Sequence, residues 1–212
     1  MTQQSDEASR AAAPWYFVFD LDGLLLRDTF IPRLATLLGR ERDLEDLRRR
    51  SLAGELPVEA SFRLRFGILK ALPLSVILEC AAGLFLDTAL ETFITTNRER
   101  CALLTENPDL WVAPLTRRLN CRLFCSASAG NGTSIRTILR KDAAIRLLKQ
   151  EGFRTALVSL AADDSPMFRE ADAVFVRSGP DAPASTQNSR SCTVFQDCPA
   201  LCCSLAALPD AR

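Results

Sequence analysis

The chain contains no histidine, and that absence excludes Ser-His-Asp and Cys-His catalysis and every metal site built on imidazole. Acid–base chemistry is left to carboxylates, Lys, Tyr and Cys. Net charge is also absent, with 26 Lys and Arg against 26 Asp and Glu, so no basic excess exists for a broad nucleic-acid or anionic-membrane surface. No run of about 18 apolar residues escapes charge; even Trp15 to Leu26 is cut by Asp20 and Asp22. Residues 1–14 carry Asp6 and Glu7 rather than an apolar signal core and read as a flexible tail. The expectation is a cytoplasmic protein with neither a membrane nor a nucleic-acid partner.

Eight cysteines occur at irregular spacing in a chain of 212 residues, too long to need disulfide staples. Neither Cys121 with Cys125 nor Cys198, Cys202 and Cys203 forms the paired knuckles of structural zinc, so these read as reduced thiols packed like small apolar residues. The Arg48 to Arg50 run reads as a solvated helix face.

Tyr16 to Phe19 form a continuous apolar run ending in Asp20, the pattern of a buried central strand that delivers a carboxylate at its C-terminal end. From Pro32 to about Thr96 the pattern is helical: Leu34, Leu37 and Leu38 share a face, and Phe62, Phe66 and Leu69 recur at helical spacing. Strand signals resume at Ala102 to Leu104, Arg122 to Cys125, Ala156 to Val158, Ala173 to Val176 and Thr193 to Phe195. Helical patterns intervene at Leu110 to Leu119 and Asp142 to Gln150, the latter stopped by Gly152, and a last one lies near Pro199 to Leu208. The segment Ser178 to Ser191 reads as an exposed loop. This alternation implies an α/β fold: a Rossmann-like, three-layer parallel-sheet core with a small helical cap inserted after the first strand. Ligands in such sheets collect at the C-terminal strand ends.

Asp20-Leu21-Asp22-Gly23 sets two carboxylates two residues apart at such an end, one placed to act as nucleophile and the other as general acid and base; the competing reading makes both turn formers before Gly23. Thr105 after the second strand, Lys141 opening a later helix, and Asp163 with Asp164 after the next strand can converge on one phosphate-sized site. In order and context these segments resemble the haloacid dehalogenase superfamily of phosphatases, in its phosphoserine-phosphatase-like branch. Phe19-Asp20-Leu21-Asp22-Gly23 corresponds to the first motif, Leu103-Leu104-Thr105 to the second, Lys141 to the third, and Asp164-Ser165-Pro166-Met167-Phe168 with Ala171-Asp172 to the fourth.

The resemblance implies a tail over 1–14, a core over 15–27 and 97–212, and a C1-type helical cap over 28–96. It implies hydrolysis of a small phosphorylated metabolite through an aspartyl-phosphate on Asp20, with Asp22 as acid and base and Thr105 and Lys141 holding the phosphoryl group. Mg²⁺ would be held by Asp20, Asp22 and an acidic residue from Asp163 or Asp164. In the cap, Gly54-Glu55-Leu56-Pro57 and Ser61 to Arg65 place Arg65 where relatives contact a substrate carboxylate. This copy carries Leu24 where relatives have Thr or Ser nearby, Glu106 where Gly follows the second motif, and Leu160 at the usual metal-binding Asp, which implies weaker Mg²⁺ binding. Thr29, beside Asp28, replaces the Glu that meets the substrate amino group in relatives. Two alternatives stay open: a non-catalytic protein of this fold with a binding or regulatory role, and a phosphotransferase.

Overall fold

In a computed structural model of the chain, the described residues are 13–24, 30–159, 166–177 and 192–209. The strands are β1 (Trp15–Asp20), β2 (Cys101–Pro108), β3 (Arg122–Ala129), β4 (Ser134–Thr137), β5 (Arg154–Ser159), β6 (Ala173–Arg177) and β7 (Cys192–Phe195). The helices are α1 (Leu21–Leu24), α2 (Phe30–Leu38), α3 (Glu41–Leu52), α4 (Val58–Leu69), α5 (Leu74–Ala82), α6 (Thr88–Thr96), α7 (Asp109–Leu119), α8 (Lys141–Gln150), α9 (Pro166–Glu170) and α10 (Cys198–Ala206).

Strand β1 is buried along its whole length. Trp15, Phe17 and Phe19 join one apolar cluster, and Tyr16 and Val18 join another on the opposite face, as the two-residue period of a strand requires. A strand apolar on both faces belongs at the centre of a sheet. Accordingly β1 pairs in parallel with β2 on one side and β5 on the other, within the order β4-β3-β2-β1-β5-β6-β7.

One strand corrects the all-parallel expectation: β4 runs antiparallel to β3. The chain reverses through Gly130, Asn131 and Gly132 at φ 58°, 56° and 83°, left-handed backbone that Gly and Asn adopt at least cost. Gly-Asn-Gly between two strand-like runs is the hairpin signal in the sequence.

Helices α2 to α6 fill the insertion between β1 and β2. Phe30, Leu34 and Ala35 bury one stripe of α2. Leu37, expected on that face, is exposed; the buried line advances in steps of four through Leu38, and a step of three carries Leu37 past its edge. Phe62, Phe66 and Leu69 of α4 and Ile77 and Cys80 of α5 share a cluster with Phe17 and Trp111. Phe66 stacks on Trp111 with ring centroids 5.2 Å apart, so the insertion is seated directly on the layer covering the sheet. Phe93 of α6 meets Phe17 edge-on at 5.2 Å. On the other face, Ile145 and Leu148 of α8 and Phe168 of α9 pack with Val18, Leu104 and Leu157. Helix α8 stops as expected before Gly152, at φ 91°.

All eight cysteines are free. Burial pushes the thiols of Cys121, Cys125 and Cys202 up to about 11, so they are protonated near neutral pH and poor thiolate donors. Arg48 pairs with Glu45 on an exposed face of α3, as its run predicted. No helix among the described residues is long and apolar enough to cross a membrane.

Asp172, part of the fourth motif, lies at the edge of the sheet opposite the strand ends that carry Asp20. Its Oδ2 accepts from the backbone N–H and the hydroxyl of Thr155 at 2.9 and 3.1 Å, and its Oδ1 lies 3.2 Å from Lys149 Nζ. Thr155 is fully buried, so losing the carboxylate strands a buried backbone donor. Asp172→Ala is expected to cost about 2–3 kcal/mol of stability, read as a lower urea midpoint with an unchanged slope.

Candidate active site

The chain leaves β1 toward β2 and β3 on one side, then crosses to β5 and β6 on the other. This switch point opens a crevice at the C-terminal end of β1. Register puts Asp20 level with Leu104 of β2, and Phe19 level with Val158 of β5. Asp20, Thr105 and Ser159 therefore emerge at one level of the sheet edge, although the sequence separates them widely.

Asp20 is held from both sides. Lys141 Nζ donates to its Oδ1 at 2.9 Å, and Ser159 Oγ donates to its Oδ2 at 3.1 Å. The pair is well buried, with side chains 19% and 11% exposed for Lys141 and Asp20. A carboxylate so far from water needs a cation and donors. Lys141 reaches it from the first residue of α8, a position fixed at the N-terminus by the next residue. Asp142 accepts from Arg140 at 3.0 Å and from Arg146 at 2.7 Å, and Arg146 also grips Glu170 of α9 at 2.9 Å.

Thr105 is fully buried, and its Oγ1 accepts from the backbone N–H and side-chain amide of Asn107 at 3.1 and 2.9 Å. Ser159 and Asn107 were not singled out from the sequence. Ser159 is the residue after the last apolar position of a buried strand, which is the signal that places it; Asn107 carries no comparable signal, since it lies where the register of β2 shifts between Leu104 and Pro108.

The structure brings Asp20, Thr105 and Lys141 to this edge as expected, and sets Arg65 of the cap against it. Arg65 does not stand open: its Nη2 lies 3.5 Å from Glu106 Oε2. Glu106 has turned toward the cap cation rather than standing unmatched beside a phosphate. Backbone of Asp22 lies in α1, directly after Asp20. Asp163 and Asp164, with Leu160, Asp28 and Thr29, lie outside the described residues, as does all of Ser178 to Ser191.

Among the described residues no group of three or more His, Cys, Asp or Glu gathers to hold a metal ion. Asp20 itself is a hard oxygen donor at the C-terminal end of β1. That chemistry suits Mg²⁺, which binds through one or two carboxylates and completes its shell with water and substrate phosphate.

No family model matches the chain, and no curated protein does. Solved structures do. A substrate-bound phosphoserine phosphatase superposes with a TM-score of 0.70 at 20% identity, over 89% of this chain and 96% of that one. A phosphoserine phosphatase from T. onnurineus gives 0.70 at 17% identity over 94% and 98%. A haloacid dehalogenase family hydrolase from Salmonella enterica serovar Typhi gives 0.70 at 17% over 86% and 68%. The chain thus has the α/β fold of the haloacid dehalogenase superfamily, with a helical cap after β1, in the form seen in phosphoserine phosphatases.

The Asp142 carboxyl is pushed up by burial, but the hydrogen bonds from Arg146 and Arg140 outweigh this and hold it below its ordinary value of 3.8. A folded-state value below the unfolded one stabilises the protein above about pH 4, and this is lost as pH falls through the folded value. Asp142→Asn is expected to cost about 1 kcal/mol near pH 7, with the difference shrinking as the pH falls through the folded-state value, measured by urea unfolding of both proteins at pH 7 and at successively lower pH.

Proposed function

We propose that the chain is a phosphohydrolase acting on a small phosphomonoester through an aspartyl-phosphate on Asp20. The observation that carries this is the buried Asp20 carboxylate gripped by Lys141 and Ser159 at the switch point, with Thr105 one residue beyond its register partner Leu104. A structural ion pair would have no need of a strand end that opens into a crevice, nor of a hydroxyl from each flanking strand.

In the first step an Asp20 oxygen bonds to phosphorus and the bond to the alcohol oxygen breaks, with Asp22 giving its proton to the leaving alcohol. In the second, water attacks phosphorus, Asp22 takes the water proton, and the bond to Asp20 breaks to release phosphate. Lys141 balances the charge of the carboxylate and the incoming phosphoryl oxygens, and the Thr105 hydroxyl donates to one of those oxygens. Ser159 fixes the carboxylate rotamer, leaving the Lys141 side of Asp20 to face the substrate. Mg²⁺ would be held by Asp20 with Asp22 and an acidic residue from Asp163 or Asp164, and when bound would neutralise phosphoryl charge. The cap closes the crevice over the leaving group and excludes water.

A second reading, a binding protein that keeps the fold without turnover, is favoured by one observation: Glu106 puts a negative charge next to Thr105. The two separate cleanly. Purified protein given a panel of small phosphomonoesters, an aryl phosphate included, is expected to release phosphate only with Mg²⁺. Turnover should disappear in Asp20→Asn and fall about 10²- to 10³-fold in Lys141→Met. Equal background rates for the native protein and Asp20→Asn across the panel would establish the binding protein instead.

A further inference from the structure

Glu106 is the acidic residue set beside the phosphate-binding threonine, and it meets Arg65 across the line between cap and core. The two side chains are 25% and 26% exposed. Beside them lies a cavity of about 40 Å³ walled by Phe62, Phe66, Pro108 and Trp111, with Asn107 on its floor. Asn107 in turn donates to Thr105, so on the phosphate-site reading above the cavity lies next to the phosphoryl group and is open to the alcohol portion. The Nε of Arg65 is buried and has no hydrogen-bond partner among the described residues.

Size, charge and polarity each narrow what enters. One water needs about 10–15 Å³ of such space, so this cavity takes a group of a few heavy atoms. An incoming carboxylate would find Arg65 already neutralised and would meet Glu106 as a like charge; an incoming ammonium would meet Arg65 in the same way. Among the described residues the Nε–H of Arg65 is a buried donor without a partner, and Glu106 carries acceptor lone pairs. A neutral group that both accepts and donates satisfies them together.

We infer that the Arg65–Glu106 pair selects a short phosphomonoester whose alcohol portion ends in an uncharged hydroxyl or primary amide, and rejects one that ends in a carboxylate. This rests on the phosphate-site reading above, and it makes Glu106 a specificity-determining residue.

Phosphonoacetamide and phosphonoacetate differ in this one charge, and their carbon–phosphorus bond is not hydrolysed, so calorimetry on the full chain reads binding without turnover. The native protein is expected to bind the amide at least about tenfold tighter than the acid. Glu106→Gln, by releasing Arg65, should cut that preference about tenfold or invert it, whereas Arg65→Gln should widen it. A native preference for phosphonoacetate, or one preference shared by all three proteins, overturns the inference and leaves the phosphate site standing. Binding of neither probe by a protein that does hydrolyse phosphomonoesters also overturns the inference alone. Binding of neither, with no turnover of any phosphomonoester, overturns the phosphate-site reading and the inference with it.

Discussion

A carboxylate at the end of a strand buried on both faces must be matched by a cation, and the ion pair between Lys141 and Asp20 at 2.9 Å supplies it. Much of the structure bears on that contact. The aromatic run of β1 forces it to the middle of the sheet, which places Asp20 at the switch point rather than at an edge. The N-terminus of α8 must then stop at the right height, and it is pinned there by the two arginines on Asp142 and by the grip of Arg146 on Glu170. At the opposite sheet edge Asp172 locks Thr155 and Lys149, tying β5 to the start of β6 and fixing the level at which Ser159 leaves the far end of β5.

The cap is built on the same layer rather than beside it. Phe66 lies on Trp111 and Phe93 lies against Phe17, so apolar packing runs without a break from the strand that carries Asp20 to the helix that carries Arg65. Such continuity gives the cap a defined position over the crevice. It also explains how a cap residue and a β2 residue can form a pair at all: Arg65 and Glu106 are far apart in sequence, and their contact depends on α4 being seated against α7.

The sequence made most of this legible because its strongest signals are physical ones. The continuous apolar run of β1 and the helical run from Pro32 each follow from local pattern, and the structure keeps them. The hairpin at Gly130 to Gly132 was missed, since β4 has only four residues, mostly exposed, and the end of β3 beside it gives little apolar contrast. Leu37 was misplaced because a helix stripe of limited width tolerates a step of four better than one of three. Ser159 and the pairing of Glu106 with Arg65 are tertiary facts: no spacing within the chain encodes which side chain turns toward which. Glu106 shows the difference most plainly, as its charge alone pointed to repulsion of phosphate, and its partner gives that charge another role.

The central claim is that Asp20 itself takes the phosphoryl group. The most direct measurement is acid quenching of the protein during turnover of a small phosphomonoester with Mg²⁺, followed by peptide mapping by mass spectrometry. A single phosphoryl adduct on the peptide containing Asp20, released by hydroxylamine as an acyl phosphate and absent from Asp20→Asn, is the predicted result. Turnover that leaves Asp20 unmodified at every quench time, or an adduct on another residue, would contradict it.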